Sequence, residues 1–317
     1  MAPGSVLIVT HNSAECIEHC VTGVLNANGW KVVLIDNASS DLTVQIVRRV
    51  APTSFLTVNT QNRGFAAAVN QAVRVAEGEV LILLNPDVIP TLGSLDKLAQ
   101  ALSEEQFGAA TGMLVGSDGA PQKGFTLRRL PTLVSALAEV LLVNRVWPSN
   151  PWNRHYRCVG FDYTRTQEVE QPAGACLAIK RQAWEDAGGF DESFFPVWFE
   201  DVDFCRRLRD RGWKILYCPD AVFVHSGGHS VGKLTFYDRQ AYWYGNLLRY
   251  FGKHHPHSAV LCLRSGIIAG LVLRSFLSLI GVGPAGVPLK EALSGYWHVI
   301  WEYGLVGRGL QLNPRAV

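Results

Sequence analysis

No pair among the seven cysteines (16, 20, 158, 176, 205, 218, 262) stands in a C-x-x-C spacing, so neither a zinc ribbon nor a dithiol redox centre is encoded. An odd, scattered set reads instead as buried free thiols in a reducing compartment. The chain also lacks a block of lysine and arginine, and a net charge of +2 over 317 residues is too mild for a nucleic-acid binder. No G-x-G-x-x-G follows the first apolar run and no G-x-x-x-x-G-K-[ST] occurs, which removes dehydrogenase and P-loop readings. Met1 to Gly4 carry neither a basic segment nor a cleavage site before the apolar sequence starts, so a cytoplasmic protein is expected.

What is present is a globular composition, 48% hydrophobic, enough for one large or two modest domains. The first hundred residues alternate in type. Apolar runs at Ser5 to Thr10, Lys31 to Asp36, Ser54 to Val58 and Val80 to Leu84 read as strands, with helical stretches from Ser13, Asp41 and Gly64 between them. Ser13 and the pair Ser40-Asp41 are the expected helix caps. Repeated β-α-β order predicts a parallel sheet flanked by helices. A helix over 91–105 and a strand from Ala109 to Val115 follow, and then the period is lost. Residues 120–170, rich in Pro, Trp, Tyr and Arg, read as a long surface segment, either shaping a substrate site or a variable insertion. Periodicity returns with a strand from Gly174 to Ile179, helices Arg181 to Ala187 and Val202 to Arg211, and two strands, Lys214 to Tyr217 and Ala221 to Val224.

From about residue 235 the chain reads as helical. Ala259 to Val282 is apolar apart from Arg264 and Arg274, and two readings stay open. It is either a core helix or an interfacial one whose two arginines, about 80° apart on the helix, reach headgroups while Leu271, Phe276 and Leu277 face acyl chains.

Polar residues gather where the strands end. Thr10-His11-Asn12 follows the first, and Asp36-Asn37-Ala38-Ser39-Ser40-Asp41 the second. In open α/β sheets ligands bind at this edge, so a nucleotide is expected there, with Asp36 accepting a pyrimidine N–H and the Asn and Ser groups meeting ribose and phosphate. Asn62-Arg63-Gly64 opens the next helix with free amides and a cation suited to an anion. Asn85-Pro86-Asp87 closes the fourth strand, and Glu200-Asp201-Val202-Asp203 follows the aromatic Pro196-Val197-Trp198-Phe199. Carboxylates beside apolar sequence need a cation, a proton or hydrogen bonds. One cluster suits a metal-bound leaving group and the other a base.

In these motifs, with Gly174-Ala175-Cys176, Gly188-Gly189-Phe190-Asp191-Glu192, and His225 with Gly228-His229-Ser230, the chain resembles the inverting family 2 glycosyltransferases of GT-A fold, within them the bacterial rhamnosyltransferase-like branch. The likeness covers residues 5 to 230. It implies an α/β, Rossmann-like, mixed and mainly parallel sheet: a catalytic domain over 1–234 and a C-terminal helical extension over 235–317, membrane-associated in one reading. It implies a nucleotide-sugar donor held by Thr10, Asn12, Asp36, Asn37, Ser39, Asn62, Arg63, Gly64, Asn85 and Gly174. Asp87 and His225 are the implied ligands of a divalent cation, Mg²⁺ or Mn²⁺. Asp201 is the implied general base, with Glu200, Trp198 and Asp203 on the acceptor side or behind it. The family's metal motif is Asp-x-Asp, whereas Asn85 here replaces the first acid by a weaker amide ligand.

The implied reaction moves L-rhamnose from dTDP-rhamnose to a saccharide or polyprenyl-linked glycan acceptor, in the cytoplasm or at the inner face of the plasma membrane, with a membrane surface as partner and no nucleic acid. A UDP-sugar donor (galactose or galactofuranose) and a non-catalytic carbohydrate or membrane-docking module are the alternatives. A nucleotidyltransferase would want a glycine-rich basic loop after the first strand, and Thr10-His11-Asn12-Ser13 is none.

Overall fold

The strand β1 (Gly4–Thr10) is buried along its whole length, with Val6 and Ile8 in one core and Leu7 and Val9 in another, as a strand covered on both faces requires. The structure is a computed structural model that describes residues 4–27, 29–227 and 234–306; Gly228, His229 and Ser230, cited above, lie outside the described residues. β1 pairs in parallel with β2 (Lys31–Asp36) on one side and β4 (Val80–Leu84) on the other, and β2 pairs in parallel with β3 (Phe55–Val58). Helices α1 (Ile17–Leu25), α2 (Thr43–Val50) and α3 (Phe65–Val75) make the crossovers that parallel pairing demands.

Beyond this half the sheet becomes mixed. A short β5 (Val88–Pro90), α4 (Ser94–Ala101) and β6 (Phe107–Val115) follow β4. β10 (Cys176–Lys180) enters between β4 and β6, antiparallel to both. β11 (Lys214–His225) lies parallel to β6 and antiparallel to β5 and to β8 (Gln167–Val169). The order is β3-β2-β1-β4-β10-β6-β11-β5, with β7 (Leu127–Arg128) and β9 (Gln171–Pro172) forming a separate pair. Helices α8 (Arg181–Ala187) and α9 (Glu200–Asp210) complete this part. The expected α/β class with a mainly parallel sheet is therefore present.

Contacts divide the chain into two compact units. One comprises Met1–Leu130, Arg157–Glu192 and Glu200–Ser230 and contains the sheet; the other comprises Pro131–Tyr156, Ser193–Phe199 and Val231–Val317. Within the second unit, α5 (Leu133–Val140), α6 (Val143–Val146) and α7 (Pro151–Tyr156) join α10 (Phe236–His254), α11 (His257–Leu279) and α12 (Leu289–Val299), which runs on into a π-helical turn, Ile300–Leu305.

Several sequence expectations are corrected. Ser13 does not cap α1 through its hydroxyl; its carbonyl accepts from Cys16 and Ile17. α2 starts after Leu42, and Asp41 reaches forward to the Thr43 amide (3.0 Å) and across to the Ala14 amide (3.1 Å), an Asx turn one residue ahead of the cap. The two strands read over 214–224 are one strand broken by an irregularity between Cys218 and Val222. The segment 120–170 is not irregular throughout: α5 carries a capping box between Thr132 and Ser135 and buries Ala136, Ala138 and Val140.

The interfacial reading of α11 also changes in detail. Leu271 is buried, and Arg274 points inward, donating to the carbonyls of Val140, Gly270 and Glu139. Two of these are the last carbonyls of α5: Val140 ends the helix, where carbonyls lack the amides of a following turn, while the Glu139 carbonyl also accepts from the Leu142 amide (3.3 Å). α11 is long and apolar enough to cross a membrane by length and composition, and a third of its most apolar window is buried inside the protein.

Candidate active site

The carboxyl ends of β1 and β2 are tied by Asp36. Fully buried, it accepts from Thr10 Oγ1 (2.8 Å) and Ser39 Oγ (2.5 Å) on Oδ1, and from the Ser39 amide (2.9 Å) on Oδ2. Three of the four acceptor positions of a carboxylate are thus filled from within. Asn37 connects this loop to the next: its side chain accepts from Asn59 Nδ2 (3.0 Å) and the Arg63 amide (3.2 Å) and donates to the Gly64 carbonyl (3.0 Å). Asn62 accepts from the Gly64 amide (2.9 Å), and Asn12 from the Ser40 amide (2.8 Å). Gly64 has φ 81°, a left-handed angle that turns the chain into α3 and disfavours any side chain. Arg63 is exposed beside this turn. Eight of the expected donor-binding residues, Thr10, Asn12, Asp36, Asn37, Ser39, Asn62, Arg63 and Gly64, thereby share one hydrogen-bonded loop cluster.

The remaining two, Asn85 and Gly174, meet at the centre of the sheet. β10 runs antiparallel to β4 with Cys176 opposite Leu84, so the residues entering β10 lie beside those leaving β4. The Asn85 amide donates to the Ala175 carbonyl at 2.9 Å, and the Gly174 amide donates to Asp201 Oδ2 at 2.9 Å. One short stretch, 173–176, therefore links the two acidic clusters that stand more than a hundred residues apart in sequence.

On the Asp87 side, Asp87 and His225 are both buried, with Nε2 3.6 Å from Oδ2. The Gln122 amide fixes the imidazole: its Nε2 donates to the His225 carbonyl (2.8 Å), which leaves its Oε1 to accept from His225 Nδ1 (2.7 Å). Nδ1 therefore carries the proton in the neutral ring, and the Nε2 lone pair faces Asp87. Phe125 stacks on the imidazole with centroids 5.0 Å apart. Two acceptors facing each other in a buried site suit a cation, so an oxygen and a nitrogen donor fit a divalent ion. Among the described residues no group of three or more His, Cys, Asp or Glu converges on one point, so further ligands would come from diphosphate oxygens and water.

On the other side, Asp201 is half-buried and both its oxygens accept amides, from Gly174 and from Val202 (2.8 Å). Burial raises its pKa above the usual carboxylate range, against the opposing pull of those amides and of the Arg128 guanidinium. Arg128 is brought there by the pairing of β7 with β9. Glu200 is 4% exposed, its Oε2 has no partner among the described residues, and burial followed by the Asp201 charge pushes its pKa well up. Asp203 is fully buried in an ion pair with Arg207 one helical turn on. Trp198 belongs to the second unit, where it and Phe199 take successive left-handed angles of 78° and 72°, and where Asn246 donates to the Phe195 (3.2 Å) and Val197 (2.9 Å) carbonyls. Bulky residues in that region are strained, and such strain gathers at functional segments. Gln122, Phe125 and Arg128 are site residues that the sequence reading passed over, because the segment holding them has no period.

A mixed α/β sheet with carboxylates and polar loops gathered at the carboxyl edge of its parallel half is the architecture of the GT-A fold, and solved structures share it. A mannosyltransferase of Pyrobaculum calidifontis, in complex with GDP-Man and Mn²⁺, superposes with a TM-score of 0.53 at 20% identity, over 96% of this chain and 84% of that one. TarS 1-349 of S. aureus in complex with UDP-GlcNAc does so with a TM-score of 0.51 at 17% identity, over 94% and 90%.

The chain belongs to glycosyl transferase family 2: the model of that description matches residues 5–185, and one described as glycosyl transferase family group 2 matches residues 152–308. It is 33% identical over 247 residues to an N-acetylglucosaminyl-diphospho-decaprenol L-rhamnosyltransferase of Mycobacterium tuberculosis, covering 72% of this chain and 77% of the relative. It is 23% identical over 247 residues to rhamnosyltransferase WbbL of Escherichia coli K12, covering 75% and 88%.

Proposed function

We propose that this protein is an inverting, divalent-metal-dependent glycosyltransferase that moves L-rhamnose from dTDP-rhamnose to a lipid-linked saccharide in cell-surface polysaccharide synthesis. The observation that carries the reading is the junction at 173–176, which ties Asn85, two residues before Asp87, and the base Asp201 to one strand entry. In-line displacement needs the leaving group and the base on opposite flanks of the sugar. The names of the mycobacterial and E. coli relatives supply the sugar, and the mycobacterial one the class of acceptor.

In this reading Asp201 removes the acceptor hydroxyl proton as that oxygen bonds to the anomeric carbon, and the bond to the diphosphate breaks with its electron pair leaving on the nucleotide. The raised pKa of Asp201 makes it a stronger base than an ordinary carboxylate. Asp87 and His225 would hold the divalent ion, which neutralises charge on the departing diphosphate. Asp36 has one acceptor position left for a pyrimidine N–H, and Arg63 stands exposed for a phosphate. Residues 1–234 carry the catalysis and 235–317 the membrane-facing part, with the enzyme peripheral at the inner face of the plasma membrane.

A UDP-sugar donor is the second reading, because thymine and uracil offer Asp36 the same N–H. The deciding experiment is a thermal-shift titration with dTDP, UDP, GDP and their sugars, each with and without Mn²⁺. A metal-dependent rise with dTDP-rhamnose is expected. A rise with UDP-sugars alone selects the second reading, and no rise with any nucleotide selects a non-catalytic module.

A further inference from the structure

Exposed apolar surface is distributed unevenly between the two units. Among the described residues, seventeen of the twenty-five exposed large hydrophobic side chains belong to the second unit, as do all four exposed tryptophans, 147, 152, 297 and 301. The longest run of them is a stripe on α11: Leu261, Val272, Leu273, Phe276, Leu279 and, just past its end, Ile280. With one residue every 100° or so, these positions fall within an arc of about 120°. The other exposed positions in that arc, 258, 262, 265 and 269, are Ser, Cys, Ser and Ala, so the stripe has no charged residue. The opposite face, including Leu263, Ile267 and Leu271, is buried. Gly304 in the π-helical turn packs so closely on Ile268, beside the stripe, that an added Cβ would meet it at 2.8 Å. The turn holding Trp301 therefore borders the stripe, and Trp297 lies one turn before Trp301.

Charge is segregated in the same way. Among the described residues the second unit carries eight Lys/Arg against four Asp/Glu, a net of +4, whereas the sheet unit carries eighteen against twenty-three, a net of −5. An apolar stripe, exposed tryptophans and surplus positive charge on one unit are complementary to a surface that is apolar beneath and anionic at its boundary. A second copy of the chain would bring two units of the same sign together, which opposes association through this face. A membrane-spanning placement is at odds with the buried face of α11 and with Arg274 bound to the end of α5.

We propose that the second unit docks on an anionic phospholipid surface, with the α11 stripe, Trp297 and Trp301 laid into the interface and the basic side chains against the headgroups. The proposal rests on the reading of a lipid-linked acceptor and names the face that would bring the enzyme to it.

The test is co-sedimentation of the full-length protein with vesicles of phosphatidylcholine alone and of phosphatidylcholine mixed with phosphatidylglycerol, at low and high salt. Partition at least about tenfold stronger onto the anionic vesicles, weakened by salt, is expected. The double variant Leu273→Asp/Phe276→Asp, with its fold checked by circular dichroism, should lose about tenfold or more of that binding. Trp297→Ala/Trp301→Ala gives a second, milder variant, and a blue shift of tryptophan emission on anionic vesicles reports insertion in the parent protein. Asp201→Asn should bind vesicles like the parent, so the result stands whether or not the transferase reading does. Absence of anionic preference in the parent would overturn the proposal, as would undiminished vesicle binding by both surface variants. So would a concentration-dependent dimer that the Asp variant dissolves, since the stripe would then be covered by a second copy.

Discussion

Gly174 donates its backbone N–H to Asp201 Oδ2 at 2.9 Å, and a Cβ on Gly174 would lie only 3.2 Å from the same oxygen and 3.1 Å from Asp201 Cβ. Absence of a side chain at Gly174 is what lets the carboxylate sit on the strand entry. Gly174→Ala is therefore expected to displace Asp201 by a few tenths of an ångström. The expected result is a roughly tenfold or greater fall in kcat with a smaller change in donor binding. Steady-state kinetics beside a donor thermal-shift curve measure both; an unchanged kcat would mean that Asp201 does not need this anchor.

Asp201→Asn removes the proposed base and keeps a similar shape. A loss of ~10²–10⁴-fold in transfer is expected, with donor binding retained. Because burial raises the Asp201 pKa, the acidic limb of the parent's kcat profile should lie above the usual carboxylate range, activity falling as the group protonates. Full transfer activity in the Asn variant would remove Asp201 from the mechanism.

Glu200 gives a prediction about stability. Its folded pKa is raised by burial and by Asp201, so the folded state holds the proton more tightly than the unfolded chain. Folding stability from this group is then greatest at low pH and declines as pH rises from the ordinary carboxylate range toward the folded value. Glu200→Gln removes that dependence. The variant should gain on the parent as pH increases from about 5 to about 8, by ~1 kcal/mol or a few degrees in Tm. An equal difference at both pH values would show that Glu200 is not the titrating group.

The parallel half of the sheet was legible because each strand there is a short apolar run and each crossover a periodic stretch; the same rule places Asp36 and Asp87 at strand ends. The mixed half was less so. β10 reads as an ordinary strand, and nothing in Cys176–Lys180 reveals that it runs antiparallel between β4 and β6. That direction is what brings Gly174 to Asp201. Of the two readings open for Arg274's helix, the interfacial one gave this side chain to headgroups because a lone cation in apolar sequence has few local explanations, yet two of its three carbonyl partners lie 134 and 135 residues earlier in the chain. Asp36 was legible as a buried acceptor, but the filling of most of its oxygens by Thr10 and Ser39 depends on the loop closing.

The approach of α11 to α5 is close enough to be tested by a methyl group. A Cβ on Gly270 would lie 2.0 Å from the Val140 carbonyl oxygen, a backbone atom that cannot swing aside. Gly270→Ala is expected to destabilise the second unit by roughly 2 kcal/mol or more through overpacking. Arg274→Ala should cost ~1–3 kcal/mol by taking the guanidinium from the Val140 carbonyl at the end of α5. Chemical denaturation read by tryptophan fluorescence measures both. If Gly270→Ala unfolds like the parent, α11 does not pack on α5 at that distance.

Gln122 offers the sharpest check on the metal reading, because it touches the imidazole without being a ligand. Its amide oxygen holds the proton on His225 Nδ1 and so turns the Nε2 lone pair toward Asp87. Substitution Gln122→Ala leaves both proposed ligands in place but releases the tautomer and the ring orientation. Partners of this kind are worth about 10–100-fold in metal affinity. The half-saturating Mn²⁺ concentration for the donor-induced thermal shift should rise by that factor, while saturating Mn²⁺ restores most of the shift. His225→Ala should produce a larger rise, and Asp87→Ala, which removes the anionic ligand, should weaken metal-dependent donor binding most. A metal dependence unaltered in Gln122→Ala and His225→Ala alike would leave Asp87 acting without the imidazole and assign His225 to packing against Phe125 instead.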